Sequence, residues 1–126
     1  MRRMAAYLAG HEGVAVSEIL HSPKLRARET AEGFAEYLRP PGGVKEAEGL
    51  KPLDDPAIWA ARLAGGADGI MLVGHLPHLS RLSSLLLCGD ADREVVSFST
   101  AAVACLERDG SGRWSIRWVL APAMVP

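Results

Sequence analysis

Only two of the 126 residues are cysteine, Cys88 and Cys105; there is no long apolar run and no excess of either charge. Two thiols beside a hydrophobic content of 48% do not make a disulfide-stapled secreted module, so both cysteines read as buried and reduced. The longest apolar stretches fall far short of the roughly 20 residues that span a bilayer. The opening stretch from Met1 to Gly10 is interrupted by Tyr7 and Gly10, and then by Glu12, before a signal-peptide core can form. A soluble, cytoplasmic protein with no membrane contact is expected. Fourteen Lys and Arg against fifteen Asp and Glu leave a formal net charge of -1, so no global field recruits nucleic acid and any anion site must be local. What the chain does have is enough apolar residues for one domain, residues 1–126, and too few positions for two.

The apolar spacing alternates helices with strands. Met4, Ala5 and Leu8 share one face of a short helix that Gly10 or Gly13 would end. Residues 14–20 read as a buried strand running into His21, with Ser22 and Pro23 suited to cap and open the next helix. Ala27, Ala31, Phe34, Ala35 and Leu38 form an amphipathic stripe, stopped by Pro40-Pro41-Gly42-Gly43. A short strand over residues 44–47, an acidic loop to Pro56 and a helix over residues 57–64 follow. Ile70-Met71-Leu72-Val73, bounded by Gly69 and Gly74, predicts a strand buried on both faces of a parallel sheet, with His75 at its C-terminal end. Pro77 then opens a leucine-striped helix closed by Gly89. Residues 95–106 and 114–120 read as strands of a hairpin whose turn runs from Glu107 to Gly112. The order implies a three-layer α/β/α domain with a mostly parallel central sheet and a C-terminal hairpin.

Ligands of such sheets sit beyond the carboxyl ends of the strands, where helix N-termini point free N–H groups. Arg26, in the first turn after one strand, can offer a planar bidentate fork to phosphate oxygens, with Thr30 one turn later on the same face. His75, fixed at the end of another strand, can give the same anion a hydrogen bond or a charge. Taken singly, Arg26 also fits a solvated helix charge and His75 a capping or packing role; their joint placement favours a phosphate site. His75 and His78 form an H-x-x-H pair, but Cys88 and Cys105 supply no further ligand spacing, so no metal is expected. His11 reads as a turn residue and His21 as a border of the pocket. Asp54 and Asp55, in a proline-flanked loop, suit turn and capping roles, with Asp54 the weak candidate for a general acid.

Ser22-Pro23-x-x-Arg26-Ala27-x-x-Thr30-Ala31 resembles the second motif of the histidine phosphatase superfamily, the group that includes phosphoglycerate mutases. Val73-Gly74-His75-x-Pro77-x-Leu79 resembles its strand-end histidine motif, and the stretch from Thr100 to Glu107 its late strand. The branch indicated is the short, SixA-type phosphohistidine phosphatase branch. In that family a histidine in an Arg-His-Gly motif on the first strand takes the phosphoryl group, and that arginine, a second arginine and a second histidine form the pocket. By motif Arg26 matches the second arginine and His75 the second histidine, with Ser22 a weaker phosphate contact; no cofactor is implied.

No Arg-His-Gly occurs in this sequence. The helix near Met4 resembles the family's first helix, which follows the first strand by a substantial loop, so on this reading roughly thirty residues are absent from the front. Loss of that central strand is expected to expose strand edges, uncover apolar surface and promote self-association. A start site assigned too late, or a shortened chain, is expected in preference to a natural chain that has lost catalysis. With the strand restored, the expected reaction is phosphoryl transfer from phosphohistidine, such as one on a phosphorylated protein, or from a small phosphate ester, to the family-type histidine and then to water. These 126 residues alone are expected to be inactive. The competing readings are a non-catalytic phosphate or phosphoprotein-binding module built on Arg26 and His75, and a structural partner-binding domain.

Overall fold

Three short parallel strands carry the candidate site: β1 (Glu18–His21) lies between β2 (Val44–Glu46) and β3 (Ile70–Val73). The computed structural model describes residues 2–11, 14–66, 68–99 and 101–125. Successive side chains of a strand point to opposite faces, and here they enter two separate cores. Ile19, Met71 and Val73 pack with Met4, Ala5, Leu8, Ala27, Ala31 and Phe34 of α1 (Arg2–Ala9) and α2 (Leu25–Leu38). Leu20 and Leu72 turn the other way, towards Leu50, Trp59 and Leu82, beside α3 (Pro56–Ala64) and α4 (His78–Cys88). The sheet is thus sandwiched between helical layers, which is why β1 and β3 are apolar at consecutive positions.

The register fixes what stands at the carboxyl edge. His21 pairs with Val73 on one side and with Glu46 on the other, so β1 and β3 end level. The Ser22 amide donates to the Val73 carbonyl at 3.0 Å, carrying the ladder one residue beyond β1. β4 (Val103–Arg108) and β5 (Trp114–Leu120) form an antiparallel hairpin that is a second, separate sheet. A short 3-10 turn, Pro122–Met124, follows. Among the described residues no helix is long and apolar enough to cross a membrane.

Several boundaries differ from the sequence expectation. α2 starts at Leu25, two residues after Pro23, because the Ser22 hydroxyl accepts the Lys24 amide at 3.2 Å in a turn that precedes the helix. α3 starts one residue early, at Pro56, with Asp55 accepting the Ala57 amide as its N-cap. β1 begins only at Glu18, after Ser17 donates to the Gly69 carbonyl at 2.7 Å. The strand expected over residues 95–106 is confined to Val103 onward, since a turn bond from Ala102 N–H to the Ser99 carbonyl and a positive φ of 64° at Ala101 interrupt it. The hairpin turn is correspondingly shorter, and Glu107 and Arg108 belong to β4; Asp109 accepts from the amides of Ser111 and Arg113 to close it. Gly13 as a helix stop and Thr100 as the head of the late-strand motif lie outside the described residues.

Candidate functional site

The carboxyl ends of β1 and β3 present two adjoining segments, Ser22 onward and Gly74 onward, whose backbones the register holds side by side. Ser22 is fully buried. Its hydroxyl lies 2.9 Å from His75 Nε2 while also accepting the Lys24 amide. In the tautomer with hydrogen on Nδ1, the Ser22 O–H donates to Nε2 and the Nδ1–H is free to donate. Burial pushes the His75 pKa below its ordinary 6.5, and the nearby Lys24 cation pushes it the same way, so the neutral imidazole is favoured.

Arg26 occupies the first turn of α2, exposed, with no hydrogen-bond or ion-pair partner among the described residues. Arg26, Thr30, Gly74 and His75 line one groove of about 920 Å³. The two motif residues thus border one groove, which also runs along β3 and β4. An unpaired guanidinium and a neutral imidazole there can offer several N–H donors to a tetrahedral oxyanion.

The other sequence candidates are placed differently. His21 is buried, with Nδ1 2.8 Å from the Ser22 carbonyl, and does not line the groove. His11 is exposed, bonded to the Tyr7 carbonyl at 2.7 Å and packed on the Tyr7 ring. Asp54 accepts the Lys51 amide at 2.9 Å and fastens the loop before α3. His78 is wholly buried, neither ring nitrogen has a partner among the described residues, and burial lowers its pKa. Cys88 is exposed and Cys105 half-buried, against the expectation that both are buried; Cys88 sits at the very end of α4, where little covers it. Among the described residues no group of three or more His, Cys, Asp or Glu is placed to hold a metal ion. Sequence reading missed the Ser22–His75 contact and the influence of Lys24, because both depend on the register between β1 and β3.

No protein-family model matches this sequence. Phosphohistidine phosphatase SixA of Escherichia coli (strain K12) is 30% identical over 125 residues, spanning 96% of this chain and 75% of that protein. The structure of the protein histidine phosphatase SixA complexed with tungstate superimposes with a TM-score of 0.83 at 30% identity, over 97% of this chain and 78% of the other. The crystal structure assigned to SixA of Agrobacterium tumefaciens shares the fold, with a TM-score of 0.74 at 21% identity over 96% of this chain and 77% of that one. Sequence identity spread along nearly the whole chain, the shared fold and the two motif segments meeting at one groove agree: the chain belongs to the SixA branch of the histidine phosphatase superfamily.

Proposed function

We propose that Arg26 and His75 hold the phosphoryl group of a phosphohistidine, carried on a protein, or of a small phosphate ester, and that residues 1–126 bind it without turning it over. The observation that carries this reading is that Arg26, unpaired, and His75 line the same groove. The SixA structure with bound tungstate, a tetrahedral oxyanion like phosphate, supports it. Arg26 supplies the fixed positive fork, and His75, held by Ser22, supplies a directional N–H. Ser22 acts through His75, since its hydroxyl is already engaged.

The missing part is the nucleophile. A phosphoryl-enzyme route needs a group to take the phosphoryl, and binding groups only position it and stabilise charge. No Arg-His-Gly occurs in the 126 residues, and His11, His21 and His78 are bonded to backbone or wholly buried. That absence also favours the second reading, a non-catalytic phosphate or phosphoprotein-binding module using the same clamp. Only in a chain that also carries the family-type nucleophile would Asp54 serve as the acid, with a modest contribution, because an imidazole leaving group needs little protonation. A single cytoplasmic domain that self-associates through the free edges of β3 and β4 completes the proposal.

Titration with tungstate and with inorganic phosphate tests the clamp. Arg26→Ala is expected to weaken binding at least tenfold, about 1.4 kcal/mol, and phosphohistidine is expected to remain unhydrolysed. Binding indifferent to Arg26→Ala overturns the clamp; release of phosphate from phosphohistidine by this chain overturns the statement on turnover.

A further inference from the structure

The first turn of α2 gathers more positive charge than its own residues offset. Lys24 stands at the N-cap of this helix and Arg26 is its second residue. Both are exposed, and neither pairs with a carboxylate among the described residues. Arg28, in contrast, is engaged with Glu32 at 2.8 Å. No acidic residue occupies that first turn, and the Lys24 side chain makes no capping bond. A helix N-terminus carries the positive end of the backbone dipole and favours Asp, Asn, Ser or Thr at the N-cap. A lysine there works against the dipole, and only an anion close by offsets the cost.

One hydroxyl ties Lys24 to the candidate clamp. Ser22 Oγ accepts the Lys24 amide at 3.2 Å and lies 2.9 Å from His75 Nε2, so a single oxygen joins the start of α2 to the segment after β3. The Lys24 backbone is extended, with φ of -69° and ψ of 141°, and the residue carries its ammonium on a flexible four-carbon stem. Its charge is felt at His75, whose protonation it opposes. In the free site the neutral imidazole is favoured, so the full positive charges come from Arg26 and Lys24. A phosphoryl group on a side chain carries a charge of about -1.5 to -2 near pH 7. Arg26 alone leaves much of that charge unmatched, and Arg26 with Lys24 matches it.

We propose that Lys24 is a further member of the clamp: its ammonium pairs with the same phosphoryl group and makes the site select a dianion over a monoanion of the same shape. The inference rests on the reading of Arg26 and His75 as a phosphate clamp and adds to it the residue that sets the charge of what is bound. Arg26 gives direction through its planar fork, whereas a lysine acts as a point charge. A lysine that merely faces solvent contributes little and does not discriminate between anions by charge.

The probes are tungstate and perrhenate, tetrahedral oxyanions of the same shape that carry two charges and one. The parent is expected to bind tungstate the more tightly. Lys24→Gln is expected to weaken tungstate about tenfold, the loss of one charge-assisted contact, and to leave perrhenate nearly unchanged. Lys24→Arg keeps the charge and should keep the preference. Arg28→Gln removes a charge from the same helix, and both anions should bind as before. With no anion present, the His75 ring titration followed by NMR should move up in Lys24→Gln and stay in place in Arg28→Gln. Lys24→Asn supplies a favoured N-cap, so it should raise the unfolding midpoint while weakening tungstate, the reverse of what a structural role gives. Equal weakening of the two anions, the same loss in Arg28→Gln, or a stationary His75 titration overturns the role of Lys24. Tungstate binding lost in Arg26→Ala but unchanged in Lys24→Gln overturns it and leaves the clamp standing; no tungstate binding by the parent overturns both.

Discussion

His75 and His78 are three residues apart in sequence and meet different surroundings. His75 is half-buried and bonded to Ser22; His78, the first residue of α4, is buried with both ring nitrogens unpaired among the described residues. Both titrate below the ordinary 6.5, chiefly because burial penalises the charged ring. The folded state therefore prefers the neutral forms. Their contribution to stability is full above pH 6.5 and is lost as pH falls from there through the depressed folded values. His78→Leu is expected to flatten that acid arm in thermal unfolding scans between pH 7 and pH 5. An unpaired buried polar group costs about 1–3 kcal/mol, so the variant should be no less stable than the parent at pH 7; an unchanged acid slope would count against this account. An anion beside His75 favours its charged form, so tungstate binding near pH 7 is expected to take up protons. Calorimetry in buffers of different ionisation enthalpy reads this directly, and no buffer dependence would mean His75 stays neutral on binding. Arg26 and His75 were legible as candidates from motif and position. Ser22 as the hydroxyl that holds His75 was not, because nothing in either segment alone states which residue of β1 faces which residue of β3.

At the scale of elements, the helices were the better-read parts. Their 3.6-residue apolar spacing is local, and α1, α2, α3 and α4 fall where the stripes put them, with ends shifted by a residue or two. Strand ends were less legible because hydrogen bonds between distant segments decide them. Gly69 is the clearest case: its φ is +78°, and a Cβ there would lie 2.6 Å from Ser17 Oγ and 3.0 Å from Ser17 N. That contact is where the chain enters β1 and β3 together. Gly69→Ala is expected to destabilise by about 1–3 kcal/mol in denaturant unfolding, while Gly110→Ala, whose Cβ would meet open space, should change stability little. Asp55→Ala removes the α3 N-cap bond and is expected to cost about 1 kcal/mol, read from the same curves.

At the scale of the molecule, the sheet comes in two pieces with a groove of about 920 Å³ between them. Unpaired apolar edges promote association, so sedimentation at rising concentration is expected to show self-association that Ala104→Arg reduces; a strictly monomeric chain up to high concentration would refute it. By itself the sequence determined the α/β class, the helical stripes, the residue types of the two motif segments and that no Arg-His-Gly triplet occurs in these 126 residues. These are local properties: periodicities of 3.6 and 2, turn residues, and side-chain types. Only the tertiary structure decided that Arg26 and His75 line one groove, that Ser22 is spent on His75, and that among the described residues β3 and β4 each pair on one edge only. Those outcomes depend on register and on pairing between segments tens of residues apart, and a local pattern allows many registers that only the packed whole selects.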